Sequence, residues 1–336
     1  MARPTRLAWW QLLITLVVLV AVMIGAVLLG AIDLGWQRVP AEVWAQLTGG
    51  VSPLSEQESA ILWQLRMPRV VLAGLVGAAL ACSGATFQGV FRNPLADPYL
   101  LGAAAGAGMV VTIVVVLAPG AGVAFLPAAA FVGALGGVAL TWGLGRSAGA
   151  GTTTLLLAGV AVASFLTAVQ TFVQQLNTLT LQQVYGWILG GLSTGGWSQV
   201  LSALPYLAVA LTVLCTCSGL LDVLTLGDEE AASLGVRPGV VRLVVLGAAS
   251  LATAAAVSVS GLIGFVGIVV PHVIRLLFGA SYRVVVPLSL AGGAIFLILA
   301  DIVARTALAP AELPIGVVTA FTGAPFFVLV LRRRRS

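Results

Sequence analysis

Charged residues are scarce in this sequence, and lysine is missing altogether. Asp, Glu, Lys and Arg make up 8% of the 336 residues, and all 16 basic residues are arginine. The phosphate-binding loop of ATPases needs a lysine that reaches the nucleotide phosphates, so the chain does not hydrolyse ATP by that route. Schiff-base catalysis, which needs a lysine amine, is excluded as well.

Histidine and cysteine are nearly as rare. The single histidine, His272, excludes a site with several histidine ligands, and the three cysteines lie in apolar stretches: Cys82, Cys215 and Cys217. Cys215 and Cys217 are two residues apart, so on a helix they face different directions. We therefore predict no metal site and no cofactor bound by this chain, and we interpret the cysteines as small packing residues.

Hydrophobic residues fill the chain instead. They make up 60% of it, and the mean hydropathy is +1.11. One membrane span takes about 20 apolar residues, so about ten spans are possible, with little chain left for a soluble domain. The sequence predicts an all-α polytopic membrane protein with a single transmembrane domain over 1–336. Its spans fall at about 7–31, 70–90, 99–117, 123–144, 153–176, 200–220, 240–259, 262–277, 284–303 and 315–331.

The placement of arginine predicts the orientation. If both termini are cytoplasmic, most arginines lie inside, including the tail Arg332–Arg335, as the positive-inside rule requires. The outer exceptions are Arg38, Arg66, Arg69 and Arg305. Arg66, Arg69 and Arg305 border predicted spans. They either reach headgroups and pair with Asp301 or Glu312, or form a positive rim that docks an acidic partner.

The two longest loops each contain one predicted short helix. In the outer loop from about 32 to 69, Ala41–Leu47 is expected to form an interfacial helix around Trp44. In the inner loop, 221–238, three acids follow Gly227 and precede Gly235, a pattern typical of acids in the first turn of a helix. This inner segment is either a solvated loop or a docking helix for a cytoplasmic partner, and its compact form favours docking.

Few polar groups lie inside the predicted spans, and such groups mark candidate pathways. His272 is the one candidate for a proton relay, although a lone histidine is more often a packing residue. Gln170 and Gln174 are four residues apart and share a helix face. Their amides are costly against lipid, so they face other helices or a wet cavity and are candidates for a polar, uncharged pathway wall.

One pattern is typical of an enzyme. Residues 191–195 match G-x-S-x-G, with Ser193 as a nucleophile and His272 as the available base. The pattern lies in a glycine-rich loop between Trp187 and Trp197 rather than between a strand and a helix. An intramembrane serine protease is therefore a remote alternative.

Three stretches together resemble the permeases of binding-protein-dependent ABC importers for iron chelates, haem and cobalamin. The first runs from Arg66-Met67-Pro68-Arg69 through Gly77–Gly84 and Gln88 to Arg92-Asn93-Pro94 and Gly102. The second covers Leu226–Val236. The third runs from Gly261–Gly267 and Pro271-His272 through Asp301 and Arg305 to Glu312–Gly316 and Gly323–Phe326. Together they cover most of 60–331.

The resemblance implies a cobalamin-permease-like fold in which spans 2–5 and 7–10 are inverted repeats. It implies a homodimer with the pathway on its two-fold axis, two cytoplasmic ATPase subunits that bind ATP and Mg²⁺, and a periplasmic or lipid-anchored binding protein. No nucleic-acid partner is expected. The coupling helices map onto 221–238, with Leu226, Gly227, Asp228, Glu229, Ala232, Leu234 and Gly235. Docking of the binding protein maps onto Arg66, Arg69 and Arg305. Asn93, Pro94 and Gly264 join Gln170, Gln174 and His272 as pathway candidates.

Function follows from this resemblance as an expectation. The chain should be an importer permease, not an enzyme, in the cytoplasmic membrane of a bacterium or archaeon. A ferric siderophore is the first expected substrate, cobalamin the second and haem the third, in the order of their frequency in the family. The competing class is a channel or secondary carrier that works alone.

Overall fold

Helix is the only regular secondary structure in the residues that the computed structural model describes: 7–30, 32–118, 123–149, 151–192 and 196–333. The predicted all-α fold is confirmed. The helices are α1 Trp9–Leu28, α2 Arg38–Thr48, α3 Glu56–Ala60, α4 Met67–Phe91, α5 Ala103–Leu117, α6 Leu126–Ser147, α7 Thr152–Leu176, α8 Leu181–Ile188, α9 Trp197–Thr216, α10 Ser218–Leu226, α11 Asp228–Ser233, α12 Pro238–Ser260, α13 Val266–Phe278, α14 Tyr282–Thr306 and α15 Ile315–Arg333. A π-helical turn, Ile61–Arg66, joins α3 to α4.

Nine of the ten predicted spans each coincide with one apolar helix, and the sixth is divided between α9 and α10. Among the described residues, seven helices are long and apolar enough to cross a membrane: α1, α3–α4 as one continuous helix, α6, α7, α9, α12 and α14. The other three predicted spans correspond to shorter apolar helices, which are α5, α13 and α15 up to Phe326.

Helix α4 lies at the centre of the bundle. In its most apolar window 83% of the residues are buried, against 17% in α1. A helix that is apolar on every side fits an interior position, whereas α1 leaves most of its surface to lipid. Helix α4 therefore packs against neighbouring helices over nearly its whole length.

Glycines bring these helices into close contact. Gly77 of α4 faces Gly293 of α14, and Gly84 of α4 faces Gly267 of α13. In both pairs a methyl group added to the glycine of α4 would overlap the opposite backbone oxygen. Small residues at these crossings allow backbones to approach as closely as they do in membrane helix pairs.

The inverted repeats stay a prediction, but the two halves share one feature. In α4–α7 and in α12–α15, the second helix is the short one, α5 with 15 residues and α13 with 13. Irregular backbone precedes both: the 3₁₀ turn Pro98–Leu101 before α5 and residues 261–265 before α13. Short, interrupted segments at corresponding positions are typical of transporter repeats.

Two sequence-based details need correction. The predicted sixth span, 200–220, is not one helix, because α9 ends at Thr216 and α10 begins at Ser218. The sequence also indicated no helix between the fifth and sixth spans, where α8 forms. The helix predicted at Ala41–Leu47 is present and longer, as α2, whereas its interfacial placement stays a prediction.

Candidate coupling, docking and pathway sites

The predicted coupling segment forms two short helices separated by one residue. Gly227 lies between α10 and α11 at φ 139°, a conformation that disfavours side chains. Acids occupy the first turn of α11, where they complement the helix dipole. The segment ends at Gly235, with φ 78°.

The apolar residues of this segment do not share one face. Ala231 is fully buried, whereas Leu226 and Leu234 are 61% and 62% exposed. Glu229 and Ala232 are also exposed. Ala231 therefore faces the permease core, while the two leucines face away from it.

Two carboxylates fasten the coupling segment to the bundle. Asp228 accepts hydrogen bonds from Arg242 of α12, at 2.5 and 2.8 Å, and from Arg92 after α4, at 3.1 Å. The Arg242 hydrogen bonds, with the charges of both guanidiniums, lower the pKa of the Asp228 carboxyl. Arg92 also donates to the carbonyl of Leu224, at 2.8 Å.

Asp222 makes the second attachment. Its carboxylate accepts from the Ser281 hydroxyl, at 2.7 Å, and from the backbone N–H of Tyr282, at 2.6 Å, at the first turn of α14. Sequence reasoning missed Asp222, Arg92 and Arg242 in this role. Arg92 lies 136 residues from Asp228 and Arg242 lies 14 residues from it, so neither pairing is visible in the local sequence pattern.

The three outer arginines meet at the opposite end of α4, but two of them are buried. Arg66 donates to the carbonyls of Val27, at 3.1 Å, and Ile32. Arg305 donates to the carbonyl of Ala26, at 2.6 Å. The carbonyls of Ala26 and Val27 lie in the last turn of α1 and lack intrahelical partners, so these arginines satisfy them, and their charge complements the helix C-terminus.

Arg69 is held by two carboxylates at once. Its Nε lies 2.9 Å from Asp301, and its two terminal nitrogens lie 2.8 and 3.1 Å from the Glu312 oxygens. Asp301 is buried and also lies 3.5 Å from Arg305, while the Glu312 side chain is 42% exposed. The pairing of arginine with Asp301 and Glu312, one of the two sequence-based interpretations, is what the structure contains.

The docking role of these arginines stays a prediction, but the picture of three guanidiniums on an open rim is wrong. Arg66 and Arg305 are 6% and 5% exposed, and both point at the end of α1. Of these three arginines, only Arg69 reaches the surface, in its pair with Glu312, and the more exposed member of that pair is the acid.

The candidate pathway residues fall into three places. Gly264 lies in an apolar groove formed by α8, the segment before α13, and α15. The His272 ring packs edge-on against Phe326, which follows the groove residue Pro325, with 5.7 Å between the ring centroids. Gln170 lies against Gly108 of α5, and Gln174 is buried. Asn93 and Pro94 are exposed beside Arg92, next to the coupling segment.

The groove before α13 contains an unusual backbone. Phe265 has φ 69°, which is uncommon for a bulky residue, and its ring lies against Gly323 of α15. The backbone N–H of Gly191 donates to Ser260 at 2.9 Å, and the Tyr99 hydroxyl bonds both polar backbone groups of Ile263. Ile263 thereby has both of its backbone polar groups hydrogen-bonded although its segment forms no helix. Sequence reasoning missed Phe265 and Tyr99.

Ser193, the nucleophile of the serine-protease alternative, lies outside the described residues. Among the described residues, no group of three His, Cys, Asp or Glu side chains could hold a metal ion.

Comparison with known proteins identifies the family. The model of the FecCD transport family matches residues 9–333. The chain belongs to the FecCD transport family. An uncharacterised ABC transporter permease of Bacillus subtilis, YvrB, is 43% identical over 87% of this chain and 84% of its own. The cobalamin import permease BtuC of Halobacterium salinarum is 40% identical over 90% of this chain and 80% of its own.

A solved structure has the same fold. It is described as an inward-facing conformation of a metal-chelate type ABC transporter, and it matches with a TM-score of 0.84 and 28% identity over 96% of this chain and 98% of its own. The FecCD chain is thus a multi-pass membrane permease of an ABC importer. It works with an ATPase and a binding protein, and ATP hydrolysis resides in the partner subunit.

Proposed function

We propose that this FecCD permease moves a metal chelate inward, with a ferric siderophore as the first candidate, cobalamin second and haem third. The relative named for cobalamin import and the metal-chelate transporter structure support this class. The groove beside α13 supports it too, since its lining is apolar and glycine-containing. Such a wall offers a large ligand no strong contact, which favours release.

The second permease copy is proposed to face this groove, with the pathway on the two-fold axis. Phe321 of α15 borders the groove and is 77% exposed. A closed two-fold pair would place the same groove of each copy around a common channel. We propose the cytoplasmic membrane of a bacterium or archaeon as its location, with both termini inside, as the arginine distribution favours.

The ATPase is proposed to push on the coupling segment through the following residues: Leu226, Gly227, Asp228, Glu229, Ala232, Leu234 and Gly235. The observation that carries this is the exposed pair Leu226 and Leu234 on a segment that Asp228 ties to α4 and α12. A partner subunit would cover the leucines. Movement of the segment would then reach the central helix through Arg92 and α12 through Arg242.

Docking of the binding protein is proposed to work by ion-pair exchange at Arg69. Glu312 holds Arg69 from the solvent side and is the more exposed partner. A carboxylate of the binding protein could replace Glu312 while Asp301 stays in place. Arg66 and Arg305 would then support docking indirectly, because both fix the end of α1 and Arg305 also lies 3.5 Å from Asp301.

Uptake into vesicles tests the substrate and the partners. The permease is reconstituted with its ATPase and binding protein, and radiolabelled ferric siderophore, cobalamin and haem are offered separately. We expect ATP-dependent, vanadate-sensitive uptake of one chelate, with the siderophore first. Equal flux of these chelates without ATP through the permease alone would favour a stand-alone channel or carrier and overturn the proposal.

Cross-linking tests the proposed dimer. In a variant without the native cysteines, Phe321→Cys should cross-link two copies through a short bifunctional reagent. Leu13→Cys, on the exposed face of α1, is the matched control and should not. Cross-linking at Leu13 with none at Phe321 would place the second copy elsewhere.

A further inference from the structure

Helix α2 carries an exposed apolar stripe that its packing does not explain. Pro40, Trp44 and Leu47 follow helical spacing on one side, and Trp44 and Leu47 are 69% and 77% exposed. Trp36 before the helix and Val51 after it extend the stripe at both ends and are exposed as well. The opposite side is the packed one, with Val39, Glu42 and Ala45 buried.

The packed side of α2 holds the helix level with the last turn of α1. Val39 belongs to a small apolar cluster with Leu34, Leu54 and Leu62, and the last two residues of α1, Val27 and Leu28, pack against that cluster. Helix α1 has 20 residues, so it is about 30 Å long and matches the hydrocarbon thickness of a bilayer. A bilayer-spanning α1 would place its last turn, and α2 beside it, at the membrane surface.

The stripe presents no charge. The two charged residues of α2 are occupied elsewhere: Arg38 pairs with Glu58 at 2.6 Å, and Glu42 is buried. The Glu42 carboxylate accepts hydrogen bonds from the Ser52 and Ser59 hydroxyls and from the Trp63 indole. A protein partner steered by charge would find none on this face.

The stripe also continues the exposed apolar surface of α1. The outward residues of α1 are apolar and exposed along its length, and Leu29 and Ile32, each 53% exposed, extend that surface toward Trp36. Tryptophan is enriched where hydrocarbon meets headgroups, because its ring is apolar and its N–H is polar. An amphipathic helix with an aromatic apolar face lies in that plane.

We propose that α2 rests on the bilayer, with Trp44 and Leu47 inserted among the headgroups and upper acyl chains beside α1. The helix and its apolar cluster would then brace the α3–α4 helix, on which Arg66 and Arg69 lie, against the membrane plane. The partner of this face is lipid. The proposal depends only on the chain's crossing the membrane, so failure of the substrate or dimer proposals leaves it unaffected.

Spin-label accessibility tests the placement. The full chain, with its three cysteines changed to alanine, receives a nitroxide at Leu47→Cys or, as a control, at Glu56→Cys, which is exposed and polar. The variants are reconstituted into vesicles of phosphatidylethanolamine and phosphatidylglycerol. We expect molecular oxygen to relax the label at position 47 severalfold more than a water-soluble nickel chelate does, and the reverse at position 56.

Two results would overturn the inference. A label at position 47 that behaves like the label at position 56 would place the stripe in water. A label accessible to nickel until the binding protein is added would assign the face to that protein instead of lipid.

A second measurement needs no cysteine substitutions. Vesicles with brominated acyl chains quench nearby tryptophan, so Trp44→Phe should reduce the lipid-quenchable part of the fluorescence relative to the unaltered chain. An unchanged quenchable part would contradict the membrane contact even if the labelled variants failed to fold.

Discussion

The glycines of α4 allow a prediction whose magnitude follows from geometry. A methyl group added at Gly77 would lie 2.1 Å from the backbone oxygen of Gly293, and one at Gly84 would lie 1.9 Å from the oxygen of Gly267. Ordinary contact begins near 3.4 Å. Helix α4 would have to retreat from α14 or α13 by roughly 1.3 to 1.5 Å, as close glycine-mediated crossings imply.

The bundle leaves no space for this shift, because α4 is buried on nearly every side. We expect Gly77→Ala and Gly84→Ala each to destabilise the permease by about 1–3 kcal/mol, the usual cost of overpacking. Gly74→Ala is the matched control on the same helix, since its methyl group would meet its nearest atom, in Ile298, at 3.6 Å. That variant should be neutral or stabilised by up to about 1 kcal/mol through helix propensity.

The assay is thermal unfolding in detergent, followed by the loss of monodisperse protein, with uptake in reconstituted vesicles as a second readout. Gly77→Ala and Gly84→Ala should melt at clearly lower temperatures than Gly74→Ala. Equal melting temperatures for all three variants would refute the reasoning, because they would mean that α4 can shift within the bundle at no cost.

Three further predictions concern charges. Asp228→Asn should change the free energy of unfolding by no more than about 1 kcal/mol, because the carboxylate is half exposed and surface pairs contribute little. In the assembled importer it should raise the number of ATP molecules hydrolysed per molecule imported. An unchanged ratio would contradict the coupling role. Glu312→Gln should strengthen binding of the binding protein to Arg69 at low salt, as measured by surface plasmon resonance on nanodiscs, whereas weaker binding would mean that Glu312 itself is a docking group. The hydrogen bonds from Arg38 lower the pKa of Glu58 to about 2, so the stabilisation from this pair is complete above the ordinary pKa of 4.5 and is lost as the pH falls toward 2. A nitroxide label on α2 should therefore gain mobility only in that pH range. A gain in mobility near neutral pH would mean that this pair does not hold α2 in place.

The site divides into residues that sequence reasoning could find and residues that it could not. The acids of α11 and the flanking glycines of the coupling segment were visible as a local pattern, since first-turn acids and terminal glycines are read within a few residues. The ion pairs that hold that segment against the bundle were not visible, because Arg92 lies 136 residues from Asp228. The outer arginines were singled out because they broke the positive-inside pattern, but their burial depended on where α1 ends in space.

The sequence by itself determined that this chain crosses a membrane, where its apolar helices lie and which family motifs it carries. A span is a local property, because the thickness of the bilayer fixes the length of the apolar run. Only the tertiary structure decided which charges meet. Arg69 reaches Asp301 across 232 residues, and Arg66 and Arg305 reach the end of α1 across 39 and 279. Those pairings depend on which helix ends become neighbours, and close glycine crossings between distant helices set that arrangement.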